Sequence, residues 1–323
     1  MKTEEKKEYD VLCVGACVQD VLIEGMGPDS FDEPVTVLKS VMFTSGGDAT
    51  NEAVVLGRLG SRTGLAAKID DGPAGEALYR NLQEEKIDLT YLVRDETSRS
   101  TTAFVILRED GEHKFFLHKG YNEGISLEEI DMDMLKKTRA ICIGSLYTSY
   151  RLDKGGAEVL MREAKKESVL TFADMDHDVE HLGPRAMDNV YPYIDYLLPS
   201  IDEARYITGK EDEKEAAGEL IRRGAKTVAI KLGSKGCYVK SQDEEFYVDP
   251  FEVEAKDTTG CGDNFTAGFI HSVLGGKSLR ESARFACAAG AVNSLDIGAH
   301  LAVRSSRQIE EFMDKYRQKK IKR

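Results

Sequence analysis

The sequence contains no tryptophan, so any aromatic stacking on a ligand would fall to tyrosine, phenylalanine or histidine. It also lacks an apolar run of the length that spans a membrane. The apolar segment nearest the N-terminus, VLCVGACV at 11–18, is too short, and the charged residues before it do not form a signal-peptide pattern. We therefore expect a cytoplasmic protein without a membrane partner.

Positive charge is in deficit. The 323 residues include 44 lysines and arginines but 57 aspartates and glutamates, which gives a net charge of −13. Such a protein repels the phosphates of nucleic acids and of anionic membranes, so we expect neither as a partner. A small anionic ligand is compatible with this composition, because a local site can oppose the overall field.

Closely spaced cysteine pairs are missing. The six cysteines include no C-x-x-C pair, which argues against a disulfide framework or a zinc site and favours a reducing compartment. The histidines show no obvious metal-ligand spacing either. His177 and His181 lie four residues apart in a loop-like stretch, and we interpret them as surface residues.

Several catalytic motifs are also absent. The sequence has no G-x-x-x-x-G-K-[ST] run, which excludes a P-loop phosphotransferase. It has neither the H-R-D catalytic loop of protein kinases nor the G-x-S-x-G turn of serine hydrolases.

Strand-length apolar runs alternate with helical patterns along most of the chain. This alternation predicts an α/β protein whose mainly parallel central sheet is covered by helices on both faces. The predicted strands lie at 11–16, 63–69, 140–146, 168–175, 196–200, 227–233 and 237–241. The predicted helices lie at 50–60, 72–85, 153–167, 262–275, 278–295 and 305–318.

Two segments depart from that alternation. Residues 34–44 and 101–118 have the pattern of antiparallel strands, and the second resembles a hairpin with EDGEH as its turn. A small sheet built from both would cover the main domain. We expect a single domain over 1–323, with lid segments at about 22–45 and 98–119 inserted in it.

The segment DTTGCGDNFTAGF, residues 257–269, crowds glycines and acids directly before a helical pattern. Gly260 and Gly262 permit a sharp turn and a close approach of a ligand to the backbone. The unpaired amides and the dipole at the start of a helix form an anion site. Asp263 would lie beside the anion and accept a proton from a neighbouring hydroxyl. Taken alone, Asp263 is as compatible with an ordinary acidic residue in a first helical turn.

A second glycine-rich segment, SGGDATNEA at 45–53, precedes the first long helix. Gly46 and Gly47 let a ligand approach the backbone, and Asn51 follows one helical turn later. Asp20 follows the first strand, at the end where loops of a parallel sheet gather into a crevice. Asp20, Asp48 and Asn51 suit a neutral polyol better than an anion, although Asp20 alone is more typical of a turn residue and Asn51 alone of a helix cap.

These two motifs, with LLPSIDEA at 197–204 and IKLGSKGCYV at 230–239 between them, resemble the ribokinase (PfkB-type) family of carbohydrate kinases over residues 9–305. The resemblance implies a ribokinase-like three-layer α/β/α domain with a small β-sheet lid that often forms a homodimer contact. It implies an ATP-dependent kinase acting on a neutral, fructose- or ribose-like sugar. A nucleoside kinase of the same fold and a non-catalytic sugar-binding relative remain the alternatives.

The resemblance also assigns roles to residues of this sequence. Asp263 would be the general base, and the amides of Gly260, Cys261 and Gly262 would form the anion hole. The implied sugar-binding residues are Asp20, Gly46, Gly47, Asn51 and Tyr121. The implied nucleotide-binding residues are Ser200, Lys231, Gly233, Ser234, Gly236, Gly260 and Gly262. Glu203 would help to hold magnesium and its waters near the phosphates.

A monovalent cation beside the anion hole is a further implication of the resemblance, with potassium as the expected ion. The ligands would be Asp257 and Thr259, together with backbone carbonyls near Asn293, Asp296 and Gly298. The alternative is that Asp257 and Thr259 only stabilise the turn.

Several positions depart from the family pattern. The acidic residue that some members use near 147–148 to hold the sugar is absent, and Tyr147 and Thr148 stand there. Ser200 stands where an asparagine usually begins the N-x-x-E motif, and its hydroxyl would hold a magnesium-bound water with a shorter reach. Tyr121 replaces a small residue after the lid and would narrow the substrate pocket or stack on its ligand. Cys261 lies in the anion hole at a helix N-terminus, where we expect a lowered thiol pKa and sensitivity to alkylation.

Overall fold

The computed structural model describes residues 7–107, 113–120, 124–316 and 318–321. Nine α-helices and fourteen strands lie in these residues. The strands are β1 (Val11–Gly15), β2 (Val18–Glu24), β3 (Ser40–Gly46), β4 (Thr63–Asp70), β5 (Ile87–Asp88), β6 (Val93–Asp95), β7 (Thr101–Leu107), β8 (His113–His118), β9 (Ala140–Leu146), β10 (Leu170–Met175), β11 (Tyr196–Leu197), β12 (Thr227–Lys231), β13 (Cys237–Lys240) and β14 (Glu245–Val248). The helices are α1 (Asp48–Leu59), α2 (Pro73–Gln83), α3 (Met134–Lys137), α4 (Ala157–Lys166), α5 (Ile201–Thr208), α6 (Glu213–Arg222), α7 (Cys261–Leu274), α8 (Leu279–Asn293) and α9 (Ser306–Lys315).

The central sheet has the strand order β14-β13-β12-β11-β10-β9-β1-β4-β5, and β6 pairs with β4. The pairings from β12 to β5 are parallel, whereas β13 and β14 extend one edge as antiparallel strands. Because parallel strands share their carboxyl-terminal edge, the loops that follow β10 and β12 meet at one side of the domain.

Both faces of this sheet are covered, as the continuous apolar strands predicted. Val11 and Cys13 of β1 pack into one core with α1, α2, α7, α8 and α9. Leu12 and Val14, whose side chains point to the opposite face, pack into a second core with α3, α4, α5 and α6. The three-layer α/β/α fold class predicted from the sequence is therefore confirmed.

Local sequence determines where the functional helices begin. Helix α1 begins after Gly47, whose φ of +89° is in the region that glycine tolerates, and it ends at Gly60 in the left-handed conformation. Helix α5 begins at Ser200, whose hydroxyl accepts from the Glu203 amide while the Glu203 carboxylate accepts from the Ser200 amide. This capping box fixes the Glu203 side chain at the first turn.

A separate four-stranded sheet has the order β3-β2-β7-β8. It confirms the predicted small second sheet, but two details differ. Strand β2 lies at its centre and pairs in parallel with β7, although the sequence pattern placed only part of β2 in the lid. Residues 34–39, expected in a strand, lie outside regular structure, and β3 begins only at Ser40. The EDGEH turn falls almost entirely outside the described residues.

The two faces of the lid sheet differ in burial. Leu22, Ala103 and Val105 are buried on the face toward the main domain, where they form their own small core. On the opposite face a cross-strand row contains Phe43, Val21, Phe104 and Phe116, paired in register. The three phenylalanines are 63%, 40% and 44% exposed. None of the described helices combines the length and apolar character needed to cross a membrane.

Candidate active site

The start of helix α7 forms the centre of the site. Gly260 caps the helix with a φ of +69°, and a Cβ at this position would lie 2.0 Å from the carbonyl oxygen of Ala299. Only glycine fits here, because both the backbone conformation and the available space exclude a side chain. Asp263 follows in the first turn, and its side chain is neither fully exposed nor fully buried.

The carboxylate of Asp263 is held by helix α1. The side-chain amide of Asn51 donates to Asp263 Oδ2 at 2.6 Å, across 212 residues of sequence. Desolvation raises the pKa of Asp263 to about 6, against the lowering effect of this hydrogen bond, and the nearby Asp174 carboxylate raises it further. At neutral pH the group is therefore mainly ionised and can accept a proton.

Asp20 lies on β2, not in the turn that the sequence pattern suggested. Its side chain is buried, lies close enough to Asp263 for their charges to interact, and packs against Gly46, the first of the two glycines before α1. A Cβ on Gly46 would lie 2.1 Å from the Asp20 carboxylate, so the glycine is needed for this approach. Desolvation, and then the charge of Asp263, raise the pKa of Asp20 to about 7.

A buried ion pair lies beside the helix start. Lys231, the last residue of β12, donates to both oxygens of the Asp174 carboxylate at 2.6 Å each. Asp174 also accepts from the Thr266 hydroxyl at 2.6 Å. The Lys231 ammonium lies 3.3 Å from the position that a Cβ on Gly262 would occupy. This places a cation directly beside the predicted anion hole.

Lys231, Asp174 and Gly262 border a cavity of about 850 Å³, whereas Asp20 and Asn51 are not among its lining residues. Its lining contains Asp263 together with all the predicted nucleotide residues except Gly260. Those lining residues are Ser200, Lys231, Gly233, Ser234, Gly236 and Gly262. Glu203, Asp48, Asp174 and Asp176 also line it. The cavity has the size expected of a site for a nucleotide-sized ligand.

Glu203 is part of a group of possible metal ligands at the edge of this cavity. Ligand atoms of Asp176, His177 and Glu203 all lie within 4.8 Å of one another. Desolvation of the Glu203 carboxyl raises its pKa to about 7, although the Lys231 charge opposes the shift. His177 is exposed, as predicted, but it belongs to this group, which the interpretation as a simple surface residue missed.

The expectation of a lowered thiol pKa at Cys261 is wrong. Desolvation and the Asp257 and Asp263 carboxylates raise the pKa of the thiol to about 12, so the helix dipole does not dominate. In addition, the Cys261 amide donates to the carbonyl of Thr258 at 3.2 Å. One of the three amides assigned to the anion hole is thus engaged in the turn itself.

The residues predicted to bind a monovalent cation lie in two segments, one before α7 and one at the end of α8 and just after it, which hydrogen bonds hold together. Asp257 is buried and accepts from the amide and hydroxyl of Thr259 and from the amide of Gly298. Asn293 donates to the carbonyl of Thr259 at 2.8 Å, and the Asn293 carbonyl accepts from the Asp296 amide. The Asn293 Oδ1 atom is buried and has no hydrogen-bond partner.

Some functional candidates were missed from the sequence. Asp174 and Asp176 lie at the carboxyl end of β10, and their position after a predicted parallel strand was a usable signal. Glu52, fully buried on α1 with a pKa raised by desolvation and nearby acids, and the buried His300 had no such signal. Tyr121, predicted to bind substrate, lies outside the described residues.

Comparison with known proteins is consistent with this geometry. Residues 9–305 match the family model described as "pfkB family carbohydrate kinase". The chain belongs to the pfkB family of carbohydrate kinases. Members of the pfkB family transfer a phosphoryl group to an alcohol, so the prediction of an ATP-binding phosphotransferase is confirmed.

Relatives of this pfkB-family chain carry sugar-kinase names. An "uncharacterized sugar kinase" of Archaeoglobus fulgidus is 32% identical over 71% of this chain and 90% of its own length. A ribokinase of Haemophilus influenzae is 28% identical over 83% and 87% of the respective chains. The structure of a putative ribokinase II from E. coli in complex with ATP and Mg²⁺ superimposes with a TM-score of 0.83 at 21% identity, over 95% of this chain and 99% of that one, which shows a shared fold.

Proposed function

We propose that this kinase transfers the γ-phosphate of ATP to a hydroxyl of a neutral, fructose- or ribose-like sugar or polyol. Asp263 acts as the general base. The observation that carries the proposal is the position of the Asp263 carboxylate. It accepts a hydrogen bond from Asn51 at 2.6 Å, lines the large cavity and lies within reach of the Lys231 charge. An acid with a pKa of about 6 in this place is ionised at neutral pH yet basic enough to take a hydroxyl proton.

The reaction is a direct displacement. As the acceptor oxygen forms its bond to the γ-phosphorus, the bond from that phosphorus to the β–γ bridging oxygen breaks, and ADP leaves. The hydroxyl proton passes to Asp263. In such reactions most of the rate gain comes from positioning and from stabilising the charge on the transferring group.

The charge on that group would be stabilised at the start of α7. The amides of the first turn and the helix dipole favour an anion there, and Lys231 adds a full positive charge. Because the Cys261 amide already donates to Thr258, Gly262 and Lys231 carry more of this role than three equivalent amides would.

ATP requires magnesium in this chemistry, and the residues present fit that ion. Two carboxylates, Asp176 and Glu203, have ligand atoms within 4.8 Å of each other, and magnesium prefers carboxylate and water oxygens. Glu203 would hold the ion or its waters, with Asp176 beside it. Bound there, magnesium neutralises phosphate charge. Ser200 acts mainly as the α5 cap, because its hydroxyl accepts from the Glu203 amide.

A potassium ion would fit the loop of Asp257 and Thr259. The predicted ligands are oxygen atoms, and the buried Asn293 Oδ1 without a hydrogen-bond partner is the kind of atom that a hard cation satisfies. The ion would stabilise the loop that sets the position of Gly260. Addition of potassium should then raise the rate more than sodium does.

The acceptor should be uncharged. Asp20 and Asp263 would face its hydroxyls, and both repel an anion. Three cations near the lid could oppose this repulsion. Lys119 pairs with Glu180, Arg99 keeps its charge while donating to the carbonyl of Ser98, and Arg108 lies outside the described residues. The two carboxylates of the site favour a neutral acceptor over a phosphorylated or acidic sugar.

A homodimer through the lid is the assembly we favour. The outer row of Phe43, Phe104 and Phe116 exposes adjacent aromatic rings on a sheet face, and such patches usually mark an interface. The same face of a second copy is also apolar and could cover these rings. Light scattering should give a dimer mass for the wild type and a monomer mass for Phe43→Ser/Phe116→Ser.

The test of function is a panel of sugars, polyols and nucleosides, assayed for ADP release with MgATP, with and without potassium. Asp263→Asn is the matched control, because it keeps the shape of the base but not its charge. We expect sugar-dependent turnover in the wild type and a loss of about 100-fold or more in the variant, with sugar affinity retained in calorimetry. Turnover of nucleosides alone, or a variant that keeps a tenth of the rate, would refute the assignment.

A further inference from the structure

We propose that His300 is a positioning residue, which orients the Asn51 side chain so that its amide nitrogen faces Asp263. The proposal rests on the function proposed above, since it gives the general base a second supporting residue. His300 lies in the segment after α8, on the side of Asn51 away from the base.

A directional chain of hydrogen bonds connects the three residues. His300 Nδ1 lies 2.8 Å from Asn51 Oδ1, and Asn51 Nδ2 lies 2.6 Å from Asp263 Oδ2. The two ends of a carboxamide have the same shape but opposite polarity. If the Asn51 carboxamide were rotated by half a turn, its oxygen would lie against the Asp263 carboxylate and the two would repel each other. A donor at the far end of the amide is what excludes that orientation.

The imidazole is suited to be this donor. His300 is only 1% exposed, and its Nδ1 atom has the Asn51 Oδ1 atom as its hydrogen-bond partner. An imidazole nitrogen donates a hydrogen bond only when it carries a proton. Because Asn51 Oδ1 can only accept, that proton must be on Nδ1.

Helix α1 holds both ends of His300. Asn51 and Arg58 are two helical turns apart and so lie on the same face of α1. Asn51 contacts the imidazole, while Arg58 donates to the backbone carbonyl of His300 at 2.5 Å and to that of Val303 at 3.2 Å. Arg58 is itself paired with Glu85 at 2.5 Å. Helix α1 therefore fixes the backbone of His300 relative to Asn51, and the hydrogen bond to Asn51 orients the ring.

Precise support matters for Asp263 because its surroundings are mostly acidic. The charged and titratable groups that act on it or are acted on by it are Asp20 of β2, Asp48 and Glu52 of α1, Asp174 and the adjacent Asp176, Lys231 of β12 and Cys261 of α7. With several carboxylates repelling it, a fixed neutral donor keeps Asp263 from rotating toward the lysine. Asn51 supplies that donor only in one orientation.

The first test compares three variants. His300→Leu fills the space but has no donor, whereas His300→Asn places an amide nitrogen where Nδ1 lies. His271→Leu is the control. It removes an imidazole that is partly buried, lies near the end of α7 away from Asp263, and contacts Ser61. We expect kcat to fall between about 10- and 100-fold in His300→Leu, with little change in KM for ATP. His300→Asn should recover most of kcat, and His271→Leu should keep it.

A folded His300→Leu protein with a kcat close to that of the wild type would overturn the proposal, as would equal losses in the Leu and Asn variants. The second test does not need activity. In protein labelled with ¹⁵N-histidine, the long-range ¹H–¹⁵N spectrum should show the His300 ring protonated at Nδ1, with the signals assigned by their loss in His300→Asn. A ring without a proton at Nδ1 would overturn the proposal even if the Leu variant did not fold. If the wild type phosphorylates nothing in the panel, the proposed function fails, and this spectrum still decides the role of His300.

Discussion

Lys231 donates to both carboxylate oxygens of Asp174, and the side chains of this pair are only 13% and 2% exposed. The pair lies where the phosphates of a nucleotide are expected, against Gly262. An ammonium has three N–H donors and Asp174 takes two. Asp174 thus holds the lysine in place and leaves its third N–H for the phosphate. The contribution of the pair to stability can therefore be measured separately from its contribution to activity.

We expect Lys231→Met to destabilise the protein by about 3–5 kcal/mol, since it leaves the Asp174 charge buried without its partner. Adding Asp174→Asn removes that charge and should restore much of the stability. Kinase activity should stay low in both, because the cation is missing in both. Chemical denaturation of the two single variants and the double variant measures the coupling; simple additivity would contradict this account.

The pH dependence of kcat should have an acidic limb near pH 6. Asp263 works as a base only when ionised, and desolvation has raised its pKa to about 6 from the ordinary value of 3.8. Activity is therefore present above pH 6 and is lost as the pH falls through it. The measurement is kcat at saturating MgATP and sugar. The hydrogen bond from Asn51 lowers the pKa of Asp263, so its loss in Asn51→Leu should move the acidic limb to higher pH. A wild-type limb near pH 4 would exclude the assignment.

Two glycines of the same turn should respond differently to alanine. At Gly260 a Cβ would lie 2.0 Å from a backbone carbonyl, so Gly260→Ala should lower the melting temperature sharply. At Gly262 the nearest atom is the Lys231 ammonium at 3.3 Å. Gly262→Ala should therefore fold, yet lose activity because its methyl group occupies the anion site. Melting curves measured alongside turnover distinguish lost stability from lost activity. Equal destabilisation by the two substitutions would contradict the prediction.

Cys261 should resist alkylation at neutral pH. The thiolate is the reactive form, and a pKa of about 12 leaves little of it near pH 7. Mass spectrometry after a short iodoacetamide treatment should find Cys261 unmodified in the folded protein and modified after denaturation. Rapid labelling of the native enzyme at this residue would restore the view that the helix start activates the thiol.

Much of the fold followed from local pattern. The alternation of apolar strands and helical segments predicted the layered sheet, and most predicted helices begin within a few residues of the observed ones. Helices α3, α5 and α6 were not predicted, and the errors in the lid fell where strand pairing is non-local. Strand β2 was taken only in part for a lid strand, because its place between β3 and β7 depends on partners that are distant in sequence. Residues 34–39 have strand-like composition but find no neighbouring strand.

The sequence by itself determined the residue types that the chemistry needs: a glycine turn before a helix, an acid in its first turn, and a second glycine pair before α1. Turn conformation and helix-start chemistry are local, so spacing alone reveals them. Only the tertiary structure decided which groups meet. Asp263 is joined to Asn51 and, through it, to His300, while Lys231 faces Asp174. Burial, which shifts the pKa values of Asp263 and Cys261 upward, is likewise a property of the packed molecule, because it depends on the atoms that exclude water from each group.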